Sequence, residues 1–544
     1  MTKKLSAISI IFVFLFCIYG CQSNENISES PKLVVLISID GLGANLLNRY
    51  DSIFQGGFLR LKNQGMRFDN AVVDHAITVS HAGHVTLSTG NNPSKHGLVD
   101  AAFYVPIGNT RVLVDAVDDS SEIILGESNS LGVSPKKILT SGLGEWIEEA
   151  DKNSRSLFIG SGFSSSLLYS STTPGDVYWY SRSSGKYVTS TYYKKEYPDW
   201  VNEFNNKTLP EFQESSKKWT CIVPLSDRNL ARRDRSEYEA DGVYINFPHL
   251  YEEELAEEIP TNKNAIFKWF GWTPISDAAT LSFARIGIKM RLLGQRKSID
   301  YLLIVLSQID SACHYYGPNS LEVMDAILRL DDELGKFFAY LDDTIGPDNY
   351  VLSLSADHGF PVIPEYQHES GMEGKRITET EIEKLLDETE SSIGESSVFS
   401  KAVAHKVVKL SKKYDFVADA YSPTQLLSTK HTEDEFLQLY RNSYREDRIP
   451  RLPFFSLNTF ESALGKAGVM LRLKKGSMIN LGPVSHGSPY IYDRHVPLYF
   501  FGAGVKPGNS LQPVSTKDVA PTLADLAGIK FPKNLDGKPL IGFN

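Results

Sequence analysis

Cysteine is scarce in this chain: four residues in 544, of which Cys17 and Cys21 lie in the N-terminal segment. The other two, Cys221 and Cys313, can form one disulfide in an oxidising compartment if the fold brings them together, so the chain is not a disulfide-stapled scaffold. Positive charge is not in excess either. Lys and Arg number 56 against 66 Asp and Glu, for a net charge of −10 and a pI near 5.7. A general nucleic-acid binder needs a basic face, so no nucleic-acid partner is expected. No long run of one charge and no internal repeat is visible. What the chain does have is apolar residues, 42% of the total, ample for a large core with room for insertions.

The N-terminus reads as a targeting segment. Lys3 and Lys4 precede an apolar run over residues 8–19, about a dozen long and short of the ~20 residues a membrane-spanning helix needs. It ends in Ile18-Tyr19-Gly20-Cys21, which resembles a bacterial lipobox with Cys21 as the lipidated first residue of the mature protein. Residues 1–21 are therefore expected to be a lipoprotein signal peptide and 22–31 a polar tether. The expected location is the bacterial cell envelope, lipid-anchored, facing the periplasm or the outside.

Three runs read as buried strands, at 33–39, 301–307 and 350–355, apolar on both faces like the strands of a covered parallel sheet. Shorter strands are predicted at 156–160 and 496–502, and helices at 58–65, 142–150, 278–293 and 518–526. Ser320 is placed to cap a long amphipathic helix carrying Leu321, Met324, Leu328, Leu334, Phe338 and Leu341. Residues 115–130 are polar and acidic and read as an exposed loop. Residues 164–263, rich in Ser, Tyr and Trp, read as a cap inserted over the site; residues 378–476 read as a second insertion. The expectation is a single α/β domain over 32–544, with a central, mostly parallel sheet flanked by helices and inserted cap regions.

Chemistry collects after the strands. Asp40-Gly41, Asp310 and Asp357-His358-Gly359 follow the three buried runs, so carboxylates are expected at strand ends, where open α/β sheets keep their ligands. His314 stands four residues after Asp310, and His486 opens His486-Gly487-Ser488. Neutral imidazole with carboxylate suits zinc or a similar borderline cation, whereas calcium and magnesium prefer oxygen alone. A hydroxyl-rich stretch supplies Ser80 as candidate nucleophile and Thr78 as the alternative, followed by Gly83-His84, Thr89-Gly90, Pro93 and His96-Gly97.

As a set these pieces, with Ser38-Ile39-Asp40-Gly41, Gly317-Pro318 and Ala520-Pro521-Thr522-Leu523, resemble the alkaline phosphatase superfamily. They are nearest to the monomeric bacterial phosphate-irrepressible alkaline phosphatases and to the nucleotide pyrophosphatase/phosphodiesterases. The resemblance implies an alkaline-phosphatase-like fold, a monomer, and two divalent metal ions, most simply Zn2+. One ion would be held by Asp310, His314 and His486, the other by Asp40, Asp357 and His358. Ser80, four residues before the Gly-His histidine, would bridge toward both and attack phosphorus, forming a phosphoseryl intermediate. The implied activity is hydrolysis of a small phosphate ester, mono- or diester.

The chain departs from that pattern in its phosphoryl-binding donors. The phosphomonoesterases carry an asparagine where this chain has Ala101, and a Lys-x-Arg pair where it has Asn153-Ser154-Arg155, with Lys152 one position early. Arg155 is thus the remaining candidate donor, and the losses argue against a strong phosphomonoesterase. A sulfatase-like hydrolase is the alternative activity, but Ser80-His81-Ala82-Gly83-His84 lacks the proline and arginine of a sulfatase nucleophile loop. A non-catalytic surface binding protein retaining the fold is the third reading.

Overall fold

The computed structural model describes residues 30–541 apart from 109, 128–129, 163–171, 173, 394–399, 452–462 and 480–481. The expected signal peptide, lipidated Cys21 and most of the tether lie outside the described residues. Among the described residues no helix is long and apolar enough to cross a membrane.

A sheet of nine strands organises the molecule. In chain order they are β1 (Leu33–Ile39), β2 (Met66–Phe68), β3 (Ser156–Gly160), β4 (Asp176–Ser181), β5 (Lys186–Val188), β6 (Asp300–Leu306), β7 (Tyr350–Ser355), β8 (Leu498–Gly502) and β9 (Gly508–Ser510). Their spatial order is β9-β2-β8-β7-β1-β6-β3-β4-β5. The central five, β7-β1-β6-β3-β4, run parallel, and β8 joins antiparallel to β7. Strand β1 shows why such a sheet forms. Leu33, Val35, Ile37 and Ile39 face one apolar core, and Val34 and Leu36 face a second on the opposite side. Side chains alternate faces, so a strand covered on both sides is apolar throughout.

Four helices matter for the site: α1 (Ser80–Thr89), α2 (Ile275–Arg291), α3 (Gln308–Tyr316) and α4 (Leu321–Thr344). Helix α4 buries Leu330, Leu334, Phe337, Phe338 and Leu341 in the first core. Its cap is as expected: Ser320 accepts a hydrogen bond from the Val323 amide, a contact that contributes about 1 kcal/mol.

Three expectations are corrected and one open question is answered. Residues 176–188, read as part of an inserted cap, form β4 and β5 of the central sheet; an aromatic run such as DVYWYS pairs well because flat rings suit a covered pleated surface. Within 115–130, Ala116, Val117 and Ile124 are buried, so the segment is not simply an exposed loop. Asp310 lies in the first turn of α3, not at the strand end. Cys221 and Cys313 are free thiols.

The second insertion has its own core, in which Leu385, Val407, Tyr421 and Leu471 pack with Ile77 and Tyr104 of the main body. It also supports the loop that leads to Ser80. Ser443 Oγ accepts from the amides of Ala76, at 2.8 Å, and Ile77, at 3.2 Å.

In the first cap, His249 is buried between Glu254, 2.9 Å from Nδ1, and Glu322, 3.3 Å from Nε2. Burial alone would keep this imidazole neutral. The two carboxylates outweigh it and push His249 up to about 9. A pKa raised on folding gives stability that is complete below the unfolded value near 6.5 and lost as pH rises through about 9. Melting temperature should therefore fall across that window, and His249→Phe should flatten the fall while destabilising the protein by about 3–5 kcal/mol, since it leaves buried carboxylates unpaired. Identical pH profiles for the two proteins would refute this linkage.

Candidate metal centre

Seven side chains from five segments meet at the C-terminal edge of the parallel strands. Asp40 directly follows β1, Asp357 and His358 follow β7 by two and three residues, and Asp310 and His314 occupy α3, which begins just after β6. The spacing of Asp310 and His314 works because residues four apart share a helix face. His486 enters from a turn fastened by Asp493, whose Oδ2 accepts from the amides of Gly487 and Ser488 and from the Ser488 hydroxyl. Ser80 is the first residue of α1, so its oxygen sits at a helix N-terminus, where developing negative charge is favoured. Helix α1 can approach this closely because residue 83 is glycine: a Cβ there would stand 2.6 Å from the backbone oxygen of Asp357.

The outer half of the centre comprises Asp310, His314 and His486. Asp310 Oδ1 is 3.5 Å from His314 Nε2 and 3.7 Å from His486 Nε2. The His314 side chain is 34% exposed, so this half faces the entrance. The inner half is buried. His358 Nε2 lies 3.4 Å from Asp40 Oδ1 and 3.3 Å from Asp357 Oδ2. Ser80 Oγ is 3.3 Å from both Asp40 Oδ1 and His358 Nε2, while the alternative, Thr78, turns away and donates to Ser488 O at 3.0 Å.

The histidines are oriented as ligands. Nδ1 of His314 points to Val484 O at 3.0 Å, that of His358 to Gly359 O at 3.2 Å and that of His486 to Thr78 O at 2.7 Å. A carbonyl can only accept, so each Nδ1 carries the proton and each Nε2 turns its lone pair to the carboxylates. Burial keeps these imidazoles neutral: it pushes His358 down to about 4 and lowers His314 and His486 as well. Burial and then the Asp40 charge push Asp310 and Asp357 well above the usual carboxylate range. Burial acts the same way on Asp40, but hydrogen bonding and charge from His84, then the charge of His358, hold it below its ordinary value.

Three atoms in this cluster, Asp310 Oδ1, Asp357 Oδ2 and His84 Nε2, are buried without a hydrogen-bond partner. Buried acceptors left unpaired are costly. Carboxylates and neutral imidazoles converging with free lone pairs are what a divalent cation requires, so the residues fit the expected metals. His84 was not foreseen in this role. Its Nε2 lies 3.7 Å from Asp40 Oδ2 and 3.5 Å from Asp357 Oδ2, and it groups with them as a possible ligand set. Its spacing from Ser80 was the available signal, since positions four apart on α1 share a face.

Arg155 does not reach the centre. It immediately precedes β3 and so sits at the opposite edge of the sheet, where its guanidinium donates to Arg291 O at 2.6 Å and its amide to Asp300 Oδ1 at 2.8 Å. The end of β3 that faces the site continues into Ser161 and Gly162, which carry no charge. Arg155 is therefore withdrawn as a phosphoryl donor. Ala101 adjoins the hairpin formed by Ala102–Ile107 and Thr110–Asp115, its backbone oxygen accepting from the Ala116 amide at 2.8 Å.

Comparison with known proteins bears on the family and the fold. The alkaline phosphatase PafA of Elizabethkingia meningoseptica is 30% identical over 546 residues, covering 96% of both chains. The alkaline phosphatase PhoV of Synechococcus elongatus is 29% identical, covering 99% of both. The crystal structure of wild-type PafA superposes with a TM-score of 0.83 at 28% identity, over 95% of this chain and 99% of that one. The family model for type I phosphodiesterase / nucleotide pyrophosphatase matches residues 34–453. The chain belongs to this type I phosphodiesterase / nucleotide pyrophosphatase family, within the alkaline phosphatase superfamily.

Proposed function

We propose that this phosphoric ester hydrolase works through a phosphoseryl intermediate on Ser80, with Asp310, His314 and His486 holding one divalent ion and Asp40, Asp357 and His358 the other. The observation that carries the reading is the shared orientation of three Nδ1-protonated imidazoles, whose Nε2 atoms turn to three carboxylates, with Ser80 Oγ beside Asp40 and His358. Zinc suits that donor set. When bound, the ions supply positive charge to the attacking and leaving oxygens. Ser80 Oγ attacks phosphorus, the bond to the leaving oxygen breaks, and that oxygen takes up a proton. Water then attacks the phosphoseryl phosphorus, releasing the phosphate product and restoring the serine hydroxyl. Ser80 lies with the buried inner half, so in-line displacement sends the leaving group toward the open outer half.

The reading also holds that the mature chain is lipid-anchored in the bacterial envelope through Cys21, as a monomer, and that residues 32–544 act as one catalytic domain. The test of activity is a panel of p-nitrophenyl phosphate, bis-p-nitrophenyl phosphate and p-nitrophenyl sulfate with zinc supplied. Cleavage of the phosphate esters and not the sulfate is expected; sulfate as the best substrate would overturn the reading in favour of a sulfatase.

The missing asparagine makes a directional prediction. A hydrogen bond to a charged oxygen is worth about 1.5–3 kcal/mol, so Ala101→Asn should raise kcat/KM for the monoester about tenfold to a hundredfold and leave the diester nearly unchanged. An equal change for both esters would show that position 101 does not read the phosphoryl charge.

A further inference from the structure

A partly buried cation, with no counter-ion among the described residues, stands beside the open half of the metal centre. Arg182 directly follows β4, which is parallel to β3, so it emerges at the same edge of the sheet as the metal-centre residues. Its guanidinium lies over the Trp272 ring, 4.3 Å from the centroid, and one Nη donates to Gly271 O at 2.8 Å. Its Nε is buried with no hydrogen-bond partner, and among the described residues no carboxylate is within ion-pair distance of it. Burial disfavours the charged guanidinium, and Asp310 is the first group whose charge offsets that cost. Asp310 feels the arginine in return.

The seat for this side chain is built. A Cβ at Gly271 would stand 2.8 Å from Arg182 Nε and 2.9 Å from its Cγ, so the arginine lies where it does because residue 271 has no side chain. Trp272 is held in turn by Tyr315, its ring 4.6 Å away and nearly edge-on. Tyr315 follows His314 on α3, which ties the seat to the outer half of the centre. The buried Nε is a donor without an acceptor, which is costly until an anion reaches it. The donors expected from the sequence are missing, since position 101 is alanine and Arg155 lies at the far edge.

We propose that Arg182 is a substrate-recognition residue that donates to an anionic oxygen of the bound phosphate ester on the leaving-group side, favouring substrates that carry a second negative charge. This rests on the reading of the centre as a phosphoryl-transfer site. Guanidinium is suited to the task, since its planar fork matches phosphate oxygens and stacks on an aromatic face.

The test is the binding of inorganic phosphate to zinc-loaded protein by titration calorimetry, with zinc counted, for wild type, Arg182→Ala, Arg182→Lys and Gly271→Ala. Arg182→Ala should weaken phosphate binding at least tenfold with zinc content unchanged, and lysine should restore part of the loss. Gly271→Ala, which keeps the charge and moves it, should also weaken binding, and it answers alone if Arg182→Ala fails to fold. In turnover, kcat/KM for the aryl monoester should fall at least tenfold more than for the diester. Unchanged phosphate affinity, loss of zinc with the arginine, or equal losses on both esters would each overturn the proposal. If phosphate binding depends on Arg182 while wild type hydrolyses neither ester, the hydrolase reading fails and the inference stands.

Discussion

Ser80→Ala is expected to lower turnover of a phosphate ester by about 10³- to 10⁶-fold, the range seen when a covalent nucleophile is removed, with bound metal retained. Among the described residues, Ser80 is favoured for the attack on three counts. It begins α1, where the backbone amides favour an alkoxide. Its oxygen is 3.3 Å from both Asp40 and His358. Thr78, two residues earlier, spends its hydroxyl on Ser488 O. The paired control is therefore Thr78→Ala, which should keep turnover within about tenfold of wild type because that hydroxyl positions a loop. Steady-state rates together with metal analysis decide between them. A Ser80→Ala protein that keeps its metal and turns over within about tenfold of wild type would show that water attacks directly.

Chelation has the second large effect, and on two quantities. Activity should vanish, because the centre's carboxylates then oppose one another and no charge remains to stabilise the attacking oxygen. Melting temperature should also fall, by an amount that grows with pH. Asp310 and Asp357, raised by burial and then by Asp40, hold protons in the folded apoprotein that the unfolded chain releases near the ordinary value of 3.8. Where the folded state binds more protons, stability falls as pH rises. A bound cation removes the need for those protons, so the gap between loaded and chelated protein should widen from acid toward neutral pH. At a free ion concentration a thousand times its Kd, each site adds about 4 kcal/mol. Asp357→Asn removes one of the opposed charges, so the chelated variant should lose less stability with pH than chelated wild type while failing to bind the inner ion. Equal melting curves with and without chelator would contradict the centre as described.

Much of this was legible in the chain, for identifiable reasons. The strands at 33–39, 156–160 and 350–355 are bounded as expected, because a run buried on both faces is apolar throughout and stops where polar chemistry begins. Asp40, Asp357 and His358 follow such stops, which marked them as candidates at strand ends, but their grouping around one ion came only from the family resemblance. Asp310 and His314 were rightly paired but placed on the wrong element; a four-residue spacing speaks for a helix face, and α3 supplies one. Arg155 failed because matching by count along the chain ignores which edge of the sheet a residue occupies. A residue just before a parallel strand lies a full strand length from ligands bound beyond its other end. Arg182, after β4, satisfies the edge rule, but its strand was hidden in an aromatic stretch read as a cap. Cys221 and Cys313 show the other limit: two thiols in a sequence carry no information about their separation.

The centre draws on positions from 40 to 486, and this dispersal sets when the protein can acquire its metal. A ribosome delivers the chain from the N-terminus, so Asp40 and Ser80 are exposed long before His486 is synthesised. Strand β8, which extends the sheet beside β7, comes later still, at Leu498–Gly502. A nascent or prematurely terminated chain thus carries several of the carboxylates without the imidazole that completes the outer half, and holds a cation weakly. On the proposed ligand set, the outer ion would be held firmly only after His486 has been synthesised and has found its place.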